Sequence, residues 1–461
     1  MHWWPTFLSA LGHGIFVVSG LLVYVLVTRA GQQRRHPAAA IGWVLGIVAF
    51  PYLGVPLFLT FGGRKFTRPN AAPVAASGVP ADSEAPEWAS ALLVALGVAP
   101  PSHNAQIRFL PDGTASLDAL LNLLRSAERQ IDICTFILGA DRVGQAVVDA
   151  LIAAAQRGVR CRLLVDAIGS LHTVPVHIKQ LRAVGVTVKR FMPLLHNPLQ
   201  GRTNLRNHRK LAVADGARLW AGGQNLADEY FIGQDGMPAW IDLGFEVEGP
   251  LATAALAQFE RDWNRASRKF RPTTPAVPAA HPAGPLAQWI PTGPDGADDT
   301  IHALLLAAAY HAKESIVAVT PYFVPDEALM DAWCIACRRG VQFTLVLPHK
   351  SNHRMADIAR ERALRRLVQS GARVWLLPDM LHAKAVIVDQ SMALSGSLNL
   401  DGRSLFLNYE AMVAFYGRDE VGWLQQWAMQ LASRGKLHAG KPPGLLRDVL
   451  EGVVRLVAFQ L

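Results

Sequence analysis

The sequence predicts an α/β protein made of two similar α/β/α units related by a pseudo-twofold axis, preceded by an N-terminal two-helix transmembrane hairpin. Three observations lead there. Two long uncharged runs open the chain, the remainder repeats itself once, and in each repeat helical patterns alternate with short aliphatic strands. Composition sets the outer bounds. Of 461 residues, 51% are hydrophobic and 18% charged, against an average near 25% charged. A disordered chain needs the reverse balance. The formal charge of +9 favours an anionic partner, nucleic acid or an anionic membrane surface, without choosing between them.

The hairpin comes first, over residues 1–65. From Thr6 to Val27, and again from Ala38 to Phe61, no residue is charged. Spanning a bilayer takes about 20 apolar residues at 1.5 Å each, so both runs are long enough. Pro51 and Pro56 would break a soluble helix but are tolerated in a membrane. A cleaved signal peptide would need a basic n-region and a small-residue exit, and the first run has neither. Basic residues do not orient the hairpin. Arg29, Arg34 and Arg35 between the runs balance Arg64, Lys65 and Arg68 after them.

Prolines then mark two linkers, 66–104 and 271–285, and divide the body into units at 105–270 and 286–435. RGVRCRLLVDA in the first unit corresponds to RGVQFTLVLPH in the second. Each follows an apolar helical pattern and ends as a buried strand, which argues for layered α/β units. The four cysteines are too few for a disulfide framework, and Cys334 and Cys337 read as helical residues rather than half of a zinc site. IARERALRRLV, 358–368, reads as a solvated arginine-rich helix face, with contact to anionic lipid as the alternative. The tail, 436–461, contains an amphipathic helix, with Leu446, Val449, Leu450, Val453 and Val457 on one side. That helix suits either packing on the body or lying in a membrane interface.

The chemistry sits in the repeat. His208, Lys210 and Asp215 in NHRKLAVAD match His382, Lys384 and Asp389 in LHAKAVIVD, and Asn225 and Asn399 each follow their histidine by seventeen residues. On an extended strand, alternation turns the His and Lys of His-x-Lys to one face. If the units pack about a twofold, two imidazoles, two ammonium groups and two amides converge on one phosphoryl group. One histidine can attack phosphorus while the other protonates the leaving alkoxide. Asn225, Asn399 and Ser397 are the candidate phosphate donors. A carboxylate behind each ring would set its tautomer, and Asp242 and Glu410, at matching places in the units, are the candidates.

A duplicated His-x-Lys-x4-Asp with downstream GGQN and GSLN resembles the phospholipase D superfamily over residues 105–435. Within it, the double N-terminal span ending PYLGVPLFLTFGGRK, together with TPYFVPD and QWIPTGPD, resembles the bacterial cardiolipin synthases. The resemblance implies phospholipase-D-like folds for both units. It implies phosphatidyl transfer between two phosphatidylglycerol molecules, giving cardiolipin and glycerol through a phosphohistidine, with no metal or other cofactor. It places the nucleophile at His208 and the acid at His382, although the residues themselves do not distinguish them. It also implies a multi-pass protein of the bacterial inner membrane, in contact with anionic lipid, with its body on the cytoplasmic side. A hydrolase of the same superfamily, lipase or nuclease, remains the alternative. The anchor, and the lack of the aromatic and basic interleaving of a single-strand groove, argue against nucleic acid. Gly223 stands where the second unit has Ser397, so the halves are not equivalent.

Overall fold

The structure is a computed structural model that describes residues 3–30, 37–62, 84–171, 174–193, 204–234, 236–267, 284–296 and 298–457. Both expected linkers fall partly outside these residues, as do Arg34, Arg35, Arg64, Lys65 and Arg68. The N-terminal region forms α1 (Trp3–Ala30), α2 (Pro37–Ala49) and α3 (Pro51–Phe61). Among described residues only α1 is long and apolar enough to cross a membrane, over Leu11–Thr28. The second uncharged run is therefore two short helices rather than one. Pro51 has no N–H to continue α2 and pushes Phe50 out of the helical region, to φ −137° and ψ 65°. α1 packs on both short helices, with Gly20 against Val55 and Ile47. Gly54 lies so close to α2 that a Cβ there would be 2.7 Å from the Gly46 carbonyl oxygen. The outer surfaces stay apolar, with Ile15, Val18, Leu22, Ile41, Leu45 and Leu53 all exposed.

Residues 84–103, expected as linker, are structured. They form α4 (Glu87–Ala95), which buries Ala89 and Leu93, and β1 (Ser102–His103). The first unit follows as β2 (Gln106–Leu110), α5 (Gly113–Arg125), β3 (Gln130–Thr135), α6 (Arg142–Gln156), β4 (Arg160–Asp166), α7 (Val174–Ala183), β5 (Thr187–Phe191), β6 (Leu211–Ala214), β7 (Arg218–Gly222), α8 (Asp228–Phe231), β8 (Gly244–Glu248) and α9 (Pro250–Ala266). The second runs β9 (Leu286–Thr292), α10 (Thr300–His311), β10 (Ser315–Val319), β11 (Phe323–Val324), α11 (Glu327–Arg338), β12 (Gln342–Pro348), α12 (Arg354–Gln369), β13 (Arg373–Leu377), β14 (Ala385–Val388), β15 (Met392–Gly396), β16 (Leu400–Asp401), α13 (Gly402–Phe406), β17 (Glu410–Phe415), α14 (Arg418–Arg434) and β18 (Lys436–Leu437), before α15 (Leu445–Val457).

The sheets repeat one another. The first has the order β2-β8-β7-β6-β3-β4-β5, and the second β9-β17-β15-β14-β10-β12-β13, extended by β1 beside β9 and β18 beside β13. In each, the three strands that follow one another through helices are parallel, β3-β4-β5 and β10-β12-β13, and the hairpin strands are antiparallel. The central strands β6 and β14 are buried throughout, LAVA and AVIV, as expected of a strand covered on both faces. One core lies under α5 and α6, and a second under α4, α10 and α11. A third joins the units, in which Leu251, Phe259 and Trp263 of α9 and Leu424 and Trp427 of α14 pack with β-strand residues of both sheets. Cys334 and Cys337 both lie on α11 as free thiols.

Two surface expectations are refined. Of the four arginines in 358–368 only Arg362 is exposed; the other three are buried or paired. Arg360 is buried, Arg365 is buried against Glu451 of α15 at 2.5 Å, and Arg366 pairs with Glu327 and Asp331. Of the tail helix, it is the polar side that meets the body, through Glu451 and through Arg447 with Glu361.

Candidate active site

Both His-x-Lys segments lie immediately before a central strand, β6 or β14, where the chain has left its own sheet. There each pairs with the other unit. Asn207, beside His208, forms a bridge with Tyr409, and Leu381, beside His382, forms one with Ile241. The His208 amide donates to the Tyr409 carbonyl at 2.9 Å and the His382 amide to the Ile241 carbonyl at 2.7 Å. Tyr409 and Ile241 each directly precede one of the two candidate carboxylates. The backbone pairing therefore carries each carboxylate across to the opposite unit's histidine. His208 Nδ1 lies 3.0 Å from Glu410, and His382 Nδ1 lies 2.7 Å from Asp242. With Nδ1 engaged, Nε2 is the ring nitrogen left for a substrate in His208; in His382 it also lies 3.1 Å from Lys384 Nζ.

Gly223 and Ser397 explain the unequal motifs. Ser397 donates through Oγ to Glu410 at 2.6 Å, so it supports the carboxylate rather than acting as the phosphate donor expected. At Gly223 a Cβ would lie 2.2 Å from Asp242 Oδ1. The shorter carboxylate comes with the residue lacking a side chain, and the longer one with a serine.

Lys210 and Lys384 are buried, and Lys384 Nζ lies 2.7 and 3.1 Å from the ring nitrogens of His382. Lys210 Nζ donates to its own His208 carbonyl at 2.6 Å. Burial lowers all four cationic groups. His208 falls to about 4, with Lys210 and Lys384 pressing further down against the pull of Glu410. His382 falls to about 3 through burial and then the Lys384 charge. Lys210 falls to about 7 and Lys384 to about 8, again chiefly through burial. Burial raises the carboxylates Glu410 and Asp242, but the histidines and lysines facing them hold both below the ordinary range. Each lysine or histidine is acted on by charges of the opposite unit, so the two motifs share one electrostatic site. Both rings are neutral when the site is empty, and two lysines are poised to take up protons when an anion enters.

Asp215 and Asp389 are not in that site, which corrects their expected catalytic role. Each lies at the far end of its central strand, in a left-handed conformation at φ 56° and φ 50°. Asp215 accepts from the amides of Glu128, Arg129 and Gln130, and Asp389 from those of Lys313, Glu314 and Ser315. These bonds tie the hairpin turn to the start of the neighbouring strand. The x4 spacing is the length of strand between the catalytic end and the turn.

The asparagines differ as well. Asn225 is satisfied within the protein, accepting from the Ile137 amide at 3.3 Å and donating to the Tyr230 hydroxyl at 2.7 Å. Asn399 is 5% exposed and its Oδ1 has no hydrogen-bond partner among the described residues. The walls are unequal too. His382 sits among the rings of Tyr230, Trp240 and Tyr322, whereas His208 meets the edge of Phe136. Among the described residues, no group of three or more His, Cys, Asp or Glu side chains could hold a metal ion.

Arg209 escaped the sequence reading. This fully buried guanidinium pairs with Asp262 at 2.6 Å and donates to the carbonyls of Glu410 and Thr292 at 2.9 Å each. It thus fixes the backbone of the residue that holds His208. The available signal was an arginine between His and Lys in the first motif where the second has Ala383.

Comparison with known proteins follows the same lines. A family model described as cardiolipin synthase, PLD-like domain, matches residues 120–263 and 305–432, and one described as phospholipase D-nuclease N-terminal matches 18–63. Cardiolipin synthase A of Pectobacterium carotovorum is 32% identical over 430 residues, covering 87% of each chain. Cardiolipin synthase A of Pseudomonas fluorescens is 31% identical over 428 residues, covering 88% of this chain and 87% of that one. Among solved structures, phosphatidylserine synthase of Haemophilus influenzae shares the fold at a TM-score of 0.64 and 16% identity. The match covers 81% of this chain and all of that one.

Proposed function

The chain belongs to the cardiolipin synthase family of the phospholipase D superfamily, and on that premise we propose that it joins two phosphatidylglycerol molecules through a phosphohistidine. It is an enzyme of that superfamily, and its reaction is phosphatidyl transfer giving cardiolipin. One observation carries the mechanistic reading. Each histidine is gripped at Nδ1 by a carboxylate from the opposite unit, so two oriented Nε2 atoms face one site lined by two lysines.

Entry of the phosphate anion favours protonation of His382, which takes a proton from solvent at Nε2. His208 Nε2, neutral at rest, attacks phosphorus. The N–P bond then forms as the P–O bond to glycerol breaks, and the His382 imidazolium gives its Nε2 proton to the leaving oxygen. The primary hydroxyl of a second phosphatidylglycerol then loses its proton to His382 and attacks phosphorus. The new P–O bond forms as the N–P bond breaks. Glu410 and Asp242 stabilise the imidazolium forms in turn. Lys210, Lys384 and Asn399 stabilise the charge on the phosphoryl oxygens. The two units act about a pseudo-twofold axis, which suits an acid and a nucleophile on opposite sides of one phosphorus. The body lies on the cytoplasmic side of the bacterial inner membrane. α2 and α3 together make the second pass of the hairpin, and the units span 105–270 and 286–435.

Incubation with phosphatidylglycerol in detergent tests the reaction. Cardiolipin and glycerol are expected, and phosphatidic acid as the dominant product would establish a hydrolase instead. Labelled phosphatidylglycerol quenched in base should leave label on the protein. Added glycerol should drive cardiolipin back to phosphatidylglycerol. With a donor bearing a good leaving group, the label should persist in His382→Ala and vanish in His208→Ala. The opposite pattern would exchange the two roles, and no label with no reversal would mean direct transfer.

A further inference from the structure

α15 is packed inside out. An amphipathic helix on a soluble body turns its apolar stripe inward. Here Glu451 is 2% exposed and bonded to Arg365 of α12, while Leu445 is 81% exposed, Leu446 88%, Val449 59% and Leu450 49%. Residues 446, 449 and 450 share one helical face, and 445 adjoins it. The buried ion pair pins the polar side of the helix and leaves that face outward. Beside it a groove of about 560 Å³ opens between α12 and the start of α15, lined by Arg362, Arg365, Arg366, Gln369, Leu445 and Asp448, so three arginines face one carboxylate, which lies 3.9 Å from Arg365. Arg362 is exposed and has no ion pair among the described residues. Lys441, just before the helix, is exposed too.

We propose that α15 is a second membrane contact of this protein, its leucine face lying in the interface of an anionic phospholipid bilayer and Arg362 at the groove mouth meeting a lipid phosphate. The occupant follows from the chain itself. α1 is long and apolar enough to cross a membrane and would hold the body beside it, so an apolar face held outward is within reach of lipid. A basic side chain beside an apolar stripe matches an anionic interface, with phosphates outside and acyl chains beneath. The inference needs the membrane association but not the reaction.

The test uses the full-length protein in phosphatidylglycerol-containing vesicles. In a Cys337→Ser background, the other cysteines being buried, an environment-sensitive fluorophore is placed at Leu446→Cys or, as control, at Asp118→Cys on the exposed side of α5. The Leu446 label should shift to the blue and be quenched by spin-labelled lipid at a depth of about 5–10 Å, while the Asp118 label stays water-like. Arg362→Gln, or zwitterionic lipid in place of anionic, should weaken the quenching. A water-like, unquenched Leu446 label would overturn the proposal. So would a blue shift without lipid quenching that grows with protein density, since a second copy would then cover the face. Leu446→Ser with Val449→Ser should lower turnover of vesicle-borne substrate about tenfold while sparing detergent-dispersed substrate. This last arm alone rests on the proposed reaction.

Discussion

His208 and Glu410 stand 202 residues apart in sequence, one in each unit, and share a 3.0 Å hydrogen bond. His382 and Asp242 mirror them across the site at 2.7 Å. Neither unit holds a complete histidine–carboxylate pair of its own. A unit on its own would present an imidazole with no carboxylate behind Nδ1, which gives a physical reason for the two units to stay packed together.

Replacing either histidine should stop turnover without unfolding the protein. Removing nucleophile or acid costs on the order of 10⁶-fold in comparable concerted sites. Each alanine leaves a buried carboxylate with one partner fewer, so some stability is lost, but Lys210 and Lys384 still face Glu410 and Asp242 and both variants should unfold in a single cooperative transition. More than a tenth of wild-type turnover in either alanine variant would exclude the two-histidine mechanism.

Gly223→Ser should disable His382 by displacing Asp242, because the new Cβ would lie 2.2 Å from the carboxylate oxygen. A misplacement of about 1 Å costs on the order of 10²-fold in rate. Adding Asp242→Glu would transplant the pairing of Ser397 with Glu410 and should recover part of the loss. Steady-state kcat of the single and double variants is the measurement.

Arg209→Met should destabilise the body by about 3–5 kcal/mol, since it leaves the Asp262 charge buried without its guanidinium. Denaturant unfolding would show this. Arg209→Met with Asp262→Leu should recover stability but not full activity, because the Glu410 carbonyl loses its donor. Equal recovery of both would mean that Arg209 does not position Glu410.

Binding of a phosphate analogue should draw protons in. The empty site holds Lys210 near 7 and Lys384 near 8 against an ordinary 10.5, and an anion raises both. Calorimetric titration of vanadate near pH 8, in buffers of different ionisation enthalpy, should report net proton uptake; release would contradict the assignment. The same depression has a sign for stability. Between the folded and unfolded values, from about 7 to 10.5 for Lys210 and from about 4 to 6.5 for His208, the unfolded chain binds more protons. The empty enzyme should therefore gain stability as pH rises through those windows.

Deleting residues 1–62 should leave the body only peripherally bound, through the α15 face and Arg362, so that high salt weakens its binding and carbonate removes it. A spanning helix inserts effectively irreversibly, whereas charge attraction is screened within about 3 Å at 1 M salt. Carbonate-resistant binding of the truncated chain would make another surface a principal anchor.

The sequence by itself determined the duplication, the two His-x-Lys pairs, the carboxylates Asp242 and Glu410 and the apolar N-terminus. Each of these is written in short-range spacing or in strand and helix periodicity. Tertiary structure decided what spacing cannot carry. Asp215 and Asp389 share a motif with the histidines, yet a four-residue strand puts them at the opposite end of the sheet, bonded to backbone amides. Which carboxylate serves which histidine depends on bridges between units, at Asn207 with Tyr409 and Leu381 with Ile241, formed by residues about 140 to 200 positions apart. The amphipathic pattern of α15 was legible, but not which side would face the body. That depended on Arg365 of α12, whose buried charge has to be met, and Glu451 meets it.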